Sequence, residues 1–236
     1  MTDKYQMLHD KYQSTAYGKR NVLDGQFKGM MRIYETMYGK YMPVDKDANI
    51  LDIACGAGQF LKFLLNNEYT NFTGVDLSKE QIEYCETHVP GRAILTDGLE
   101  YLNDRPYSFD LITANDFIEH LTKEKGIEFV GLTFQALRLG GRLILKTGNM
   151  SAFGGLAIWC NTLDHECGYT ERSLQSLLGM WGFQDIEIIP YYPLNKQARR
   201  KQLIFHWILR QMYKHFFAGD YPKCYTKMIA VTGVKK

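Results

Sequence analysis

Apolar residues along this chain fall into two alternating patterns. Short runs of buried-strand length occur at 50–54, 72–76, 92–96, 109–114 and 142–147, with further runs at 184–189 and 227–234. Between them, apolar residues recur at helical spacing. Gln59–Asn67 carries Phe60, Leu61, Phe63, Leu64 and Leu65, and similar stretches fill 79–88, 122–138 and Glu171–Trp181. Near-continuous apolar strands alternating with amphipathic helices argue for βαβ units and a parallel sheet. Ser78 and Thr170 sit where helix N-caps belong, with Gln81 and Ser173 three residues on. The Gly140-Gly141 pair permits the left-handed turn that ends a helix before the strand at 142.

Two regions depart from the alternation. Residues 1–44 are tyrosine-rich (Tyr5, Tyr12, Tyr17, Tyr34, Tyr38, Tyr41), and Phe27, Met30, Met31, Ile33, Tyr34, Met37 and Tyr38 predict one helix from about Gln26 to Tyr38. The insertion from Tyr191 to Cys224 holds a basic amphipathic helix at 199–217. Such a helix packs on its own domain, forms a homodimer seam or lies on an anionic membrane. The chain reads as one domain over 1–236, divided into 1–44, a core at 45–148 and an acceptor side at 149–236.

The stretch Asn49–Leu61 concentrates the chemistry. The run Ile50–Ala54 breaks into Gly56-Ala57-Gly58 and then a helix, so backbone N–H groups face a ligand at the turn. Asp76 closes the second apolar run twenty residues after Gly56, where a carboxylate can accept from ribose hydroxyls. A dinucleotide fingerprint would place a third small residue at the bulky Leu61, and no lysine follows the turn to make a phosphate loop. The fit is to an adenosine ligand without phosphates. Asp52 and Asp76 add negative charge suited to a cation.

The segment resembles motif I of the class I S-adenosyl-L-methionine (SAM) methyltransferases, with Ala54 where the first glycine often lies. That resemblance implies a Rossmann-like, open, mostly parallel seven-stranded sheet with helices on both faces and the last strand antiparallel. It implies SAM as cofactor, held by Asp52, Ala54, Gly56, Gly58, Asp76, Leu77, Gln81, Asp97, Gly98, Leu99, Asn115 and Asp116. Asp97 would accept from the adenine amino group. Ser78 and Gln81 are equally explained as helix caps. Asp116-Phe117-Ile118-Glu119-His120-Leu121 resembles the D-x-x-E-H-L segment of quinone-biosynthesis and sugar methyltransferases, and Leu137–Leu145 also matches the family. Asn161–Thr170, followed by a helix, Gly182-Phe183 and a strand, resembles methyltransferases of bacterial surface-polysaccharide (capsule and O-antigen) gene clusters.

Methyl transfer to a hydroxyl requires an aligned acceptor and removal of its proton, work that suits a histidine oriented by a carboxylate. His165, flanked by Asp164 and Glu166, with His120 across the cleft, is the candidate set. Glu119 and His120 could equally cap the next helix, and His165 could belong to a plain surface loop. Tyr17, Arg32, Asn149, Glu166 and Tyr169 are candidates to touch the acceptor, since N-terminal segments of the resembled family often fold over the pocket. No metal site is assigned. A divalent ion on Asp116, Asp164 and His165 is the lesser alternative.

Composition removes several partners. A net charge of +2 over 236 residues calls for no polyanion, and the core carries no basic stripe. Asn115-Asp116-Phe117-Ile118 lacks the Pro-Pro-aromatic continuation of nucleic-acid adenine methyltransferases, and no Pro-Cys pair exists. Nucleic acid is therefore not an expected partner. Five cysteines without a C-x-x-C pair, no apolar leader and no membrane-length run point to the cytoplasm, peripheral to the inner membrane face if the 199–217 helix meets lipid. The expectation is an O-methyltransferase of a sugar or other surface-glycan precursor. The alternatives are a phenolic or quinone-type acceptor and a catalytically silent SAM-binding subunit.

Overall fold

A computed structural model describes residues 24–216 and 221–236. Tyr5, Tyr12, Tyr17 and the end of the expected helix at Phe217 lie outside the described residues. The chain runs α1 (Asp24–Tyr38), β1 (Ile50–Ile53), α2 (Gln59–Asn66), β2 (Phe72–Asp76), α3 (Lys79–His88), β3 (Ala93–Leu95), α4 (Gly98–Asn103) and β4 (Phe109–Asn115). A 3₁₀ turn (Ile118–His120) then leads to α5 (Lys123–Ala136), β5 (Leu137–Gly148), α6 (Gly155–Trp159), α7 (Glu171–Met180), β6 (Gln184–Pro190), α8 (Lys196–Phe216) and β7 (Met228–Val234).

The seven strands form one sheet in the order β3-β2-β1-β4-β5-β7-β6. β1 through β5 pair in parallel, and β7 runs antiparallel to both β5 and β6. This bears out the expected sheet, including its antiparallel last strand. Strand order reverses between β1 and β4, which opens a crevice at the carboxyl ends of those strands.

Period-two alternation divides the core. Leu51, Ile53, Ile112, Ala114, Leu143 and Leu145 point to the face covered by α5 and α7. Ile50, Leu111 and Ile144 point to the opposite face, under α1 and α2. Moving two residues toward the carboxyl ends on that second face, each strand turns polar: Asp52, then Thr113 and Asn115, then Lys146. The apolar core therefore stops just short of the crevice.

The helix expected at 122–138 ends at Ala136. The amides of Tyr107 and Ser108 take the carbonyls of Gln135 and Ala136 at 3.0 and 2.7 Å, so the last helical turn gives way to extended backbone at Leu137. Four short helices among the described residues were not anticipated: α4, α6, the 3₁₀ turn at Ile118–His120 and a second one at Gly39–Tyr41. In α8 the half-buried stripe Gln202, His206, Leu209 and Tyr213 faces the body. His206 and Tyr213 lie 5.7 and 6.0 Å from the Tyr225 ring. No residue of α8 is fully buried, and Ile204, Phe205, Trp207, Ile208 and Met212 are exposed.

Candidate active site

The turn after β1 is built on left-handed backbone. Ala54, Gly56 and Gly58 have φ of 53°, 53° and 80°. At Gly58 a Cβ would stand 2.3 Å from Cys85 Sγ, so a larger residue is excluded by both conformation and space. Ala54 bears the left-handed penalty that a glycine would avoid. Asp76, at the end of β2, accepts from Gly56 N through Oδ2 at 2.9 Å and from Ser78 N through Oδ1 at 2.8 Å. One carboxylate thus braces the glycine turn against the start of α3, where Ser78 caps the helix by accepting from Gln81 N at 3.4 Å. Gln81 Oε1 lies 3.7 Å from the position of a Cβ on Gly56, and half-buried Leu77 completes the β2–α3 turn.

Asp52 is 2% exposed and accepts from Thr113 Oγ1 at 2.6 Å. Burial pushes its carboxyl up to about 7, against the opposing pull of Thr113 and Asn115. A buried acid so raised is ionised by a neighbouring cation, and SAM carries both a sulfonium and an ammonium. The residues fit that group: a glycine turn open to close approach, and carboxylates at the ends of β1 and β2. Asp97 caps α4, with Oδ1 accepting from Leu99 N at 2.8 Å and Glu100 N at 3.3 Å. The Gly98 Cα is pressed to the sheet, since a Cβ there would meet Ile53 Cγ2 at 2.9 Å, and Leu99 is half-buried against the core.

The end of β4 is tied to α1 and β5. Tyr38, wholly buried, donates its hydroxyl to Asn115 Oδ1 at 2.7 Å. Asp116, left-handed at φ 53°, pairs with Lys146 Nζ at 2.5 Å. Burial would lower the Lys146 pKa, but the Asp116 charge and hydrogen bond outweigh it and the amine is raised. Tyr34 and Tyr38 are raised well above the ordinary phenol value, first by burial and then by nearby negative charge. Lys146 and Thr113 were not singled out from sequence, Tyr34 and Tyr38 were read only as helix packing, and Glu119 only as part of the D-x-x-E-H-L segment or a helix cap. Lys146 left a signal, a lysine at the end of a strand otherwise apolar.

Beyond β4 the chain makes the 3₁₀ turn, and the 164–169 loop is stitched to it. Glu166 N and Cys167 N both donate to Glu119 O, at 2.8 and 3.1 Å. His120 and His165 come together with ring centroids 4.9 Å apart. The expected pairing of His165 with Asp164 is corrected: Asp164 Oδ2 meets His120 Nδ1 at 3.2 Å, while His165 Nδ1 meets Trp159 O at 3.1 Å. The reason is that the loop lays Asp164 on His120, which it meets through both its carboxylate and its carbonyl, while α6 holds His165 through the Trp159 carbonyl. Burial alone would lower His120, but Asp164 raises it, and the same hydrogen bond drops the Asp164 carboxyl far below its usual range. Burial and the neighbouring His120 lower His165. Burial, with the Asp116 charge behind it, pushes Glu119 up to about 7. A cavity of about 10 Å³, room for one water, is lined by Glu119, Thr147, His165 and Tyr169 among others.

Of the five expected acceptor contacts, the structure buries Asn149 and Tyr169, leaves Arg32 and Glu166 exposed, and does not describe Tyr17. Asn149 is fully buried, and its amide is spent on Cys224 O, Thr226 O and Ser151 N at 3.0, 2.9 and 3.0 Å, a clamp between β5 and β7. Tyr169 is 6% exposed, with its hydroxyl driven against α5, 2.7 Å from where a Cβ on Gly126 would stand. Arg32 is exposed on α1, off the stripe of Phe27, Tyr34, Met37 and Tyr38 that packs on the body. Glu166 reaches the cluster through its backbone, and its side chain is exposed. Tyr17 lies outside the described residues.

Residues 50–141 match a family model described as a methyltransferase domain. A ubiquinone biosynthesis O-methyltransferase of Idiomarina loihiensis is 30% identical over 135 residues, covering 53% of this chain and 54% of that protein. The chain thus spans about half the length of the curated relative it matches. Among solved structures, a SAM-dependent methyltransferase from Archaeoglobus fulgidus has a TM-score of 0.68 at 21% identity, covering 94% of this chain and 100% of that one. Phosphoethanolamine N-methyltransferase 2 of Haemonchus contortus, solved with SAM, has a TM-score of 0.63 at 17% identity, covering 97% and 60%. The fold is the one these proteins share.

Proposed function

Taking residues 50–141 as a SAM-dependent methyltransferase domain, we propose that the chain moves a methyl group from SAM to a hydroxyl oxygen of a small polar acceptor, a sugar or other surface-glycan precursor. The observation that carries this reading is the His120–His165 cluster at the exit of β4, beside Asp116 and opposite the glycine turn. When bound, SAM supplies a methyl carbon activated for in-line displacement. Asp76 and the turn at Gly56 hold the nucleoside, and Asp52 balances the positive charge of the methionine part. Asp116, fixed by Lys146, borders the reacting end. The acceptor hydroxyl loses its proton at the histidine cluster, where His165 is neutral and has Nε2 open. The Asp164 carboxylate steadies His120.

A phenolic acceptor is the second reading. The O-methyltransferase relative supports it, as does α8, which has six Lys or Arg residues, no acidic residue and an exposed apolar side. That composition suits an anionic bilayer surface. No helix among the described residues is long and apolar enough to cross a membrane. Labelled methyl transfer from SAM into a panel of nucleotide-activated sugars and simple phenols tests both readings. Label in a sugar supports the first and label only in phenols the second. SAM binding without label in any acceptor would favour a silent subunit. Co-sedimentation with phosphatidylglycerol vesicles, but not with neutral ones, tests the role of α8.

A further inference from the structure

We infer that Glu119, His120 and His165 form a binding site for a first-row divalent transition-metal cation, with Zn²⁺ the best match to the donor set. One ligand atom from each residue lies within 4.8 Å of the others. Donors around a tetrahedral ion with bonds of about 2.1 Å stand roughly 3.4 Å apart, so modest side-chain rotation closes the site. Two imidazoles and one carboxylate favour such an ion over Mg²⁺ or Ca²⁺, which take all-oxygen shells.

Two independent observations point to a ligand. The first is Glu119, 6% exposed, whose Oε2 has no hydrogen-bond partner. Thr147 Oγ1, in the wall of the same small cavity, lies close enough to lower the Glu119 pKa but makes no hydrogen bond of acceptable geometry. A buried carboxylate oxygen left unpaired is costly, and a cation satisfies it. The second is the fixed tautomer of both rings. Trp159 O and Asp164 O can only accept, so Nδ1 carries the proton in His165 and in His120, at 3.1 and 3.3 Å. Nε2 is then the lone-pair nitrogen of each. Asp164 Oδ2, 3.2 Å from His120 Nδ1, completes the carboxylate–histidine arrangement that orients metal ligands. The lesser set weighed from sequence fails because Asp116 is taken by Lys146 and Asp164 by His120.

Three protein ligands leave a fourth position open, as catalytic rather than structural sites do. Cation binding stands independently of the methyl-transfer reading. Only the use of the fourth position, to hold the acceptor oxygen, rests on it. In the loaded site His165 would be a ligand, the cation would polarise the acceptor oxygen, and the hydroxyl proton would pass to solvent.

The test uses the tag-free full chain, stripped with EDTA and titrated with ZnSO₄ alone, without SAM or acceptor, by isothermal calorimetry. One equivalent should bind. Affinity should fall at least 10²-fold in Glu119→Gln and His165→Ala, and about 10–100-fold in Asp164→Asn, which touches only the orienting partner. Circular dichroism checks that each variant folds. If one does not, the Co²⁺ spectrum of the unaltered chain decides. Intense d–d bands without a thiolate charge-transfer band support the site, and a thiolate band moves the ion to a cysteine and overturns it. No stoichiometric binding, or full affinity in the folded variants, also overturns it, leaving water as the cavity's occupant. One bound Zn²⁺ with no methyl transfer to any acceptor supports the site while counting against the proposed function.

Discussion

The two halves of the crevice are wired over different chain distances. At the cofactor end, Asp76 reaches Gly56 across 20 residues and Ser78 across 2, and Asp97 reaches Leu99 across 2. At the acceptor end, His120 meets Asp164 across 44 residues, and the amides of Glu166 and Cys167 reach Glu119 O across 47 and 48. Apart from Asp52 and Asn115, which are bonded to Thr113 and Tyr38 across 61 and 77 residues, the cofactor end is a set of strand-turn-helix units, each made locally. The acceptor end exists only once the loop after β5 has packed onto the 3₁₀ turn after β4. One half can therefore be altered with little consequence for the other.

His165→Ala tests that separation most strongly. Turnover should fall by roughly 10²–10⁴ while SAM affinity, read by calorimetry, stays within about twofold. Equal losses in both would merge the two halves into one unit. Asp76→Ala is the mirror experiment. It removes two charge-assisted hydrogen bonds to the glycine turn and α3, and should weaken SAM binding by about 10–100-fold with a smaller effect on kcat.

Next in size is a pH effect confined to the cofactor end. The folded Asp52 carboxyl, at about 7, lies above its unfolded value of 3.8. The protein without ligand therefore holds a proton that the unfolded chain has released, and Asp52 makes stability fall as pH rises from about 4 through 7. A cationic ligand reverses that preference. SAM affinity should weaken by up to about tenfold per pH unit below 7, with proton release detectable in buffers of different ionisation enthalpy. Asp52→Asn should remove the proton release and flatten the stability slope. A wild-type affinity unchanged between pH 5.5 and 8 would take Asp52 out of the cofactor site.

The smallest effect is expected at Ala54. Glycine is free of the left-handed penalty of about 1–2 kcal/mol but loses more chain entropy on folding. Ala54→Gly should therefore stabilise by at most about 1 kcal/mol, about 2–4 °C in Tm, with acceptor kinetics unchanged. A loss of stability would mean that the entropy term wins.

The contrast in wiring also decides what could be read from the chain. Gly56, Gly58, Asp76 and the caps at Ser78 and Thr170 were legible because their partners lie nearby in sequence; Thr170 and Ser173 form a capping box. The sheet was legible because each strand is an apolar run. His120, Asp164 and His165 were rightly grouped, but which carboxylate serves which ring depends on loop geometry. Asn149 and Tyr169 looked like acceptor contacts because they flank the loop, yet packing against β7 and α5 buries them. Lys146 was passed over because periodicity treats a strand residue as core or surface and has no category for a buried charge neutralised by Asp116 at φ 53°.

The position of α8 has one more consequence. β6 runs parallel to β4 and β5, so the chain leaves it at Pro190 on the same rim that bears Asp116 and the histidine cluster. Phe205 of α8 then packs on Phe153, in the turn that follows β5, with ring centroids 5.7 Å apart. A bilayer held by this helix would lie along the rim that bears the histidine cluster. Enzyme and a lipid-borne acceptor would then meet by lateral diffusion in a plane, and turnover would follow the surface density of acceptor rather than its concentration in bulk water.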